Sequence, residues 1–262
     1  MTTSIAVSTS LEGYLTAVAE LPLRTHLSDA RSGAVVVVPG QGEWCDGVRA
    51  AHAAGAAAVV LAAPDPAPAD AIDALIEDVA GLPVIVDRPL LRPDAAEDAL
   101  AGRVFAGRHT APRLITVDCA APASDLAAAT REAIGWLRRL SGGDLAHLSG
   151  DGGLALCEPE GSAGTLAAIT IVQVNGVSGL RIHALGEVVT EVEVSAARTV
   201  VSTSTSAGRM TAPSRYESAE RLSLRRALDA MKGGEPPADL RDLAKDAALV
   251  GQLSSARAHK HD

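Results

Sequence analysis

The sequence predicts an α/β domain built on a doubly wound parallel sheet, followed by an α+β domain with an open, mainly antiparallel sheet. Three observations carry that expectation. The first hundred residues alternate short β-branched runs with alanine-rich helical stretches. From about Arg113 the rhythm changes to one long helix and then strands with no helix between them. At the usual ~150 residues per domain, a chain of 262 residues forms one large domain or two small ones.

The elements follow in order. Residues 5–7 read as a first strand and 11–20 as a helix. Residues 35–38 are an uninterrupted valine run, the pattern of a strand buried on both faces. A helix over 45–54 and a strand over 58–61 come next. Ile72, Leu75, Ile76 and Val79 recur at i, i+3, i+4 and i+7, so residues 70–79 form a helix facing a sheet. A strand over 83–86 and a helix over 93–100 complete the run. Strand–helix alternation with short links implies right-handed βαβ units. After a strand over 114–117, a helix over 125–140 places Leu126, Ala129, Ala133, Trp136, Leu137 and Leu140 on one side. Beyond Gly142-Gly143, strands are expected at 166–174, 180–184, 188–194 and 199–205. Val188, Thr190, Val192 and Val194 alternate with Val189, Glu191 and Glu193, the period of a sheet with one wet face. A helix over 217–232 stops at Gly233-Gly234, and Asp239 after Pro236-Pro237 is the expected N-cap of a final helix. The division expected is 1–112 and 113–262, with a frayed tail over 258–262.

Composition narrows the function. The apolar fraction of 47% supplies material for a core, and a net charge of −9 excludes a binder of nucleic-acid backbone, which needs a cationic surplus. Lysine occurs only at Lys232, Lys245 and Lys260, so chemistry needing a lysine earlier in the chain is excluded. Cys45, Cys119 and Cys157 are far apart with no C-x-x-C spacing, which fits reduced, buried thiols in a cytoplasmic protein. No apolar run reaches the ~18 residues of a membrane span, and the first residues lack the basic start of a secretory signal.

A Rossmann dinucleotide loop needs G-x-G-x-x-G after the first strand, for a tight turn, for backbone approach to the pyrophosphate and for close helix packing. Here that stretch is Ser8-Thr9-Ser10-Leu11-Glu12-Gly13, and only the third glycine is kept. The Cβ of Ser10 obstructs the closest phosphate approach. Glu12 puts a negative charge where the helix dipole would favour an anion. Asp29 lies 21 residues after Ser8, at the offset of a ribose-binding acid. If a nucleotide binds, Ser8, Ser10, Gly13 and Asp29 are its residues; otherwise the loop is a structural turn. Gly40-Gln41-Gly42 is read as strand-exit punctuation. The histidines, His109 and the terminal His259 and His261 included, show no metal-ligand spacing, so no metal is expected. The Ser-Thr run over 202–206 is read as a solvated or interface face, and Glu187, Glu191 and Glu193 as exposed sheet residues. With five aromatic residues, stacking platforms for sugars or bases are scarce.

Residues 223–237 and 239–243, residues 33–55 and residues 81–93 together resemble the Gfo/Idh/MocA-type oxidoreductases, the family of glucose–fructose oxidoreductase and inositol dehydrogenase. The resemblance implies a Rossmann domain before an α+β domain whose open sheet forms the oligomer interface. It also implies NAD(P)-dependent chemistry, and three departures argue against that chemistry here. The nucleotide loop is altered. The family's Glu-Lys-Pro reads Ala62-Ala63-Pro64, so its catalytic lysine is Ala63. Aligning the family's Arg-Trp-Leu-x-Gly on Arg138-Arg139-Leu140-Ser141-Gly142 puts Glu132 where its histidine belongs and Gly135 where its aspartate belongs. The chain is also shorter than the family, mainly between the first and third strands. Glu132 is the one conceivable general base, with a surface ion pair to Arg131 as the plainer reading.

The expectation is therefore a diverged oxidoreductase-family protein without dehydrogenase activity or bound nicotinamide. It would act as a homo-oligomer through the C-terminal sheet or as a subunit beside an active oxidoreductase. The alternatives are a working dehydrogenase using NAD or NADP on a sugar, polyol or related small alcohol, and a sensor that holds another small molecule in the old cleft.

Overall fold

The computed structural model describes residues 4–105, 111–150, 153–161, 164–195, 198–233 and 237–258. Its contacts group the chain into two units, 1–89 with 216–244 and 90–215 with 245–262.

The first unit opens with β1 (Ile5–Ser8), α1 (Glu12–Ala19), β2 (Thr25–Leu27), β3 (Val35–Pro39), α2 (Trp44–Ala53), β4 (Ala58–Ala62), α3 (Ala69–Asp78) and β5 (Val84–Asp87). All neighbouring strands are parallel, in the order β2-β1-β3-β4-β5. The order reverses direction between β1 and β3. Right-handed crossovers therefore put α1 on one face and α2 and α3 on the other. The valines of β3 and all of β4 are buried, as expected for strands covered on both sides. A later helix, α6 (Ala219–Gly233), packs beside α1 on β4 and β5 through Leu224, Ala227 and Leu228.

The second unit carries α4 (Pro93–Phe105), β6 (Leu114–Ala121), α5 (Leu126–Ser141), β7 (Leu145–Gly150), β8 (Leu154–Pro159), β9 (Leu166–Gln173), β10 (Gly179–Leu185), β11 (Val189–Ser195), β12 (Thr199–Thr205) and β13 (Gly208–Thr211). These strands form one sheet in the order β13-β12-β11-β10-β6-β9-β8-β7, antiparallel except for β6 against β9. One face is sealed by α4 and α5. Ile115, Val117, Ile169, Ile182 and Val192 meet Ala133, Trp136 and Leu137 there, and the Trp136 indole N–H donates to the Leu90 carbonyl at 2.7 Å. The αL residue Gly142, φ 75°, ends α5. Helix α7 (Asp239–Ala258) closes the described chain and runs from the first unit's residues into the second's.

Several expectations are corrected. The grouping differs from 1–112 and 113–262 because α6 lies on the parallel sheet, while α4 packs on β11 and β12. Strands β2, β7, β8 and β13 were not anticipated, and α4 continues past residue 100. Ser202 and Thr203 are buried, not solvated: α4 approaches so closely that a Cβ on Gly102 would sit 2.4 Å from the Thr203 hydroxyl. Asp239 does not cap α7. Its carboxylate takes two hydrogen bonds from Arg226, at 2.8 and 2.9 Å, and one from the Val86 N–H at 2.9 Å. That last bond occupies part of the free edge of β5, which would otherwise offer unpaired backbone groups to another strand. Residues 109 and 259–262 lie outside the described residues.

Candidate ligand edge of the parallel sheet

In an open parallel sheet, ligands sit beyond the carboxyl ends of the strands where the order reverses. The β1–α1 loop and the end of β2 occupy that place here. Val7 pairs with Leu27, and the Ser28 N–H donates to the Val7 carbonyl at 3.0 Å. Ser8–Ser10 and Ser28–Asp29 thus leave the sheet side by side, and Asp29 is exposed. The four residues singled out for a nucleotide do share one edge. Their chemistry is less favourable than their placement. Leu11 stands at the N-cap of α1 with no side-chain cap, its N–H held by the Thr9 hydroxyl at 3.2 Å. Exposed Glu12 occupies the first turn and itself complements the positive helix end. A Cβ on Gly13 would meet the Glu220 carboxylate at 2.8 Å, so this glycine serves the approach of α1 to α6.

The next two loops are bound to each other. The Gly40 N–H donates to the Ala62 carbonyl at 2.8 Å, and the Asp65 N–H donates to the Gly40 carbonyl at 2.7 Å. Asp65 also accepts from the Gly42 N–H at 3.1 Å through its carboxylate and from the Trp44 indole at 3.1 Å through its carbonyl. A Cβ on Gly40 would lie 2.4 Å from both the Ala62 oxygen and the Pro64 Cα. Gly40 is required by this contact between loops, not by a phosphate. Ala63 follows on the exit of β4 at φ 46°, the one non-glycine residue with positive φ among those described. Its N–H donates to the Asp87 carbonyl at 3.1 Å, and the Asp87 carboxylate accepts the Tyr14 hydroxyl at 2.8 Å. Burial, then the neighbouring Asp87 carboxylate, pushes the Tyr14 phenol far above its ordinary pKa. This Tyr14–Asp87 bond and the role of Asp65 were missed in the sequence, because each joins loops or elements far apart in the chain.

In the second unit Glu132 is not a surface residue. It and Arg131 are only 2% and 3% exposed, and Arg131 donates to Glu132 Oε1 through Nε at 3.2 Å and Nη2 at 3.1 Å. A carboxylate held this way is a buried ion-pair member, and that corrects the surface reading. Further along α5, Arg138 donates to fully buried Asp246 of α7 at 2.9 Å. Cys119 and Cys157 are buried and unpaired by any disulfide, their thiols pushed up to about 11 by desolvation, while Cys45 is half-buried. No group of three metal-ligating side chains occurs among the described residues, and no described helix is long and apolar enough to cross a membrane.

Solved structures match this arrangement from end to end. A 3-ketoreductase from Actinomadura kijaniata, KijD10, solved in complex with NADP, superimposes with a TM-score of 0.70 at 16% identity, covering 97% of this chain and 98% of that one. UDP-N-acetylglucosamine 3-dehydrogenase GnnA from Acidithiobacillus ferrooxidans gives 0.68 at 14% identity, covering 98% and 99%. The fold is that of the Gfo/Idh/MocA-type oxidoreductases. No family model and no curated protein matches the sequence. Within the Gfo/Idh/MocA fold the C-terminal edge of the parallel sheet is the place for a dinucleotide, and the residues here fit one poorly. Ser10 and Glu12 stand where closest approach and positive potential are needed. Of the four aromatic side chains described, Tyr14, Trp44 and Trp136 are packed away and only Tyr216 is exposed.

Proposed function

We propose that this chain is an oxidoreductase-fold protein that does not transfer hydride and works as a partner or binding subunit of an oligomer. The observation that carries the reading is Ala63. It stands at the exit of β4 where the resembled family keeps a lysine, and its backbone is fastened to Asp87 in a left-handed conformation. Hydride chemistry belongs to a bound nicotinamide that the protein positions, and neither the Ser8–Gly13 loop nor Ala63 supplies that positioning. Calorimetric titration with NADH and NADPH is expected to show no binding; a micromolar Kd for either would sink the proposal.

A second reading is favoured by one observation, the side-by-side placement of Ser8, Ser10, Gly13 and Asp29. It is also encouraged by the NADP bound to the 3-ketoreductase neighbour. Under it the chain is a dehydrogenase acting on a sugar or related alcohol. The Asp29 carboxylate suits a ribose 2′-hydroxyl and repels a 2′-phosphate, so NAD is then the expected cofactor. Ser10→Gly should tighten NAD binding under this reading and change nothing under the first.

A further inference from the structure

The hairpin of β7 and β8 brings together two soft donors that show no metal-ligand spacing in the sequence. His147 of β7 lies directly opposite Cys157 of β8. Residues so opposed share a face of the sheet, with Cβ atoms about 4.5–5.5 Å apart. That face is the inner one. Cys157 is 1% exposed, belongs to the core against α5, and joins no disulfide. His147 is half-buried on the edge strand of the sheet. Its Nε2 is sealed from solvent and has no hydrogen-bond partner among the described residues, the thiol opposite included. Buried polar atoms are nearly always paired, and one left over calls for a reason such as strain, chemistry or an ion. Immediately after His147 the ladder slips, so that Ser149 and not Leu148 opposes Leu156. A bulge of this kind re-aims the side chains beside it.

We infer that Cys157 and His147 together hold one soft monovalent cation, copper(I), between the thiolate sulfur and Nε2. Softness, number and charge each select that ion. Thiolate and imidazole suit copper(I), whereas magnesium and calcium take oxygen ligands. Two donors satisfy copper(I), but structural zinc takes four, and no group of three metal-ligating side chains occurs among the described residues. On binding, the thiol releases its proton to solvent and a sulfur–copper bond forms, with no change in oxidation state. The thiolate and the monovalent ion then cancel in charge. A divalent ion would leave a net positive charge in an apolar core, which is costly. One bridging ion sets sulfur and nitrogen about 4 Å apart, a separation that directly opposed side chains can span. The inference lies wholly within the second unit and holds whether or not a nicotinamide binds.

Anaerobic titration of copper(I) in competition with bicinchoninate tests it, in a Cys45→Ala background that removes the more accessible thiol. One tightly held ion per chain is expected. Cys157→Ala and His147→Gln should each weaken it at least 100-fold, and Cys119→Ala, which removes a buried thiol of β6, should leave it unchanged. X-ray absorption at the copper edge of the Cys45→Ala protein should show a two-coordinate ion with one sulfur and one nitrogen. That measurement reads the site even where a further variant fails to fold. Zinc should bind at least 100-fold more weakly than copper(I). Equal copper(I) affinity with and without Cys157 overturns the site. Binding that survives His147→Gln, or a shell of sulfur alone, overturns the pairing. Zinc bound more tightly than copper(I) overturns the choice of ion.

Discussion

Gly40→Ala isolates what the Gly40-Gln41-Gly42 turn is for. A methyl there would be 2.4 Å from the Ala62 oxygen, 2.4 Å from the Pro64 Cα and 2.5 Å from the Pro64 nitrogen. All three are backbone atoms, so no side chain can swing aside. The β4–α3 loop must move, and the two backbone hydrogen bonds that hold it to Gly40 lengthen or break. Overpacking of this kind costs about 1–3 kcal/mol and each hydrogen bond about 0.5–1.5 kcal/mol. The stiffer unfolded chain returns about 0.4–1 kcal/mol. The net loss is about 2–4 kcal/mol, which lowers Tm by about 5–15 °C in a protein of this size. Urea unfolding followed by tryptophan fluorescence measures it directly, because Trp44 is tied to the same loop through Asp65. Gly42→Ala is the control: its φ of 66° leaves open space, and only the backbone conformation is penalised, by about 1–2 kcal/mol. If Gly40→Ala proves as stable as wild type, the loop-to-loop contact is not what demands this glycine.

Ala63→Gly should raise stability by about 0.5–1 kcal/mol, because relief of the left-handed alanine outweighs the entropy of the added glycine; chemical denaturation reads the sign. Asp246→Ala should cost about 3–5 kcal/mol by removing the buried carboxylate that accepts from Arg138, and adding Arg138→Met should recover part of it in a thermal melt. The buried thiols make stability fall in alkali. Their folded pKa of about 11 lies above the ordinary thiol value, so the unfolded state loses protons first, and the contribution present below pH 9 disappears between pH 9 and 11. Replacing Cys119 and Cys157 by alanine should flatten that part of the pH profile. Under native conditions a thiol reagent should modify Cys45 quickly and the other two slowly.

The local rules of the chain made much of this legible. The valine run of β3 and the alternation of β11 each follow from burial on two faces or one, and both appear where expected. Strand β8 carried the same alternation, with Ala155 and Cys157 inward against Leu154 and Leu156, but the larger residues face outward and mask the pattern. Strand β2 is three residues long and held by pairing to β1, so its own composition says little. The site was half legible. That Ser8, Ser10, Gly13 and Asp29 share an edge follows from strand order. The burial of Glu132 does not, because α5 is enclosed around nearly its whole circumference, polar side included. An amphipathic pattern announces one buried face and is silent about a second. The Asp65 contacts and the Tyr14–Asp87 bond lie beyond any local pattern.

The placement of α6 also sets an order of events during synthesis. Strands β1 to β5 leave the ribosome within the first 87 residues, yet the helix that covers β4 and β5 is encoded from residue 219, and Asp239, which occupies the free edge of β5, comes later still. At about 5–20 residues per second, the nascent sheet waits several seconds with one face bare and one edge open. During that interval the second unit's strands emerge and can pair among themselves. A premature stop before residue 219 therefore releases a parallel sheet whose β4 and β5 lack α6 on one face.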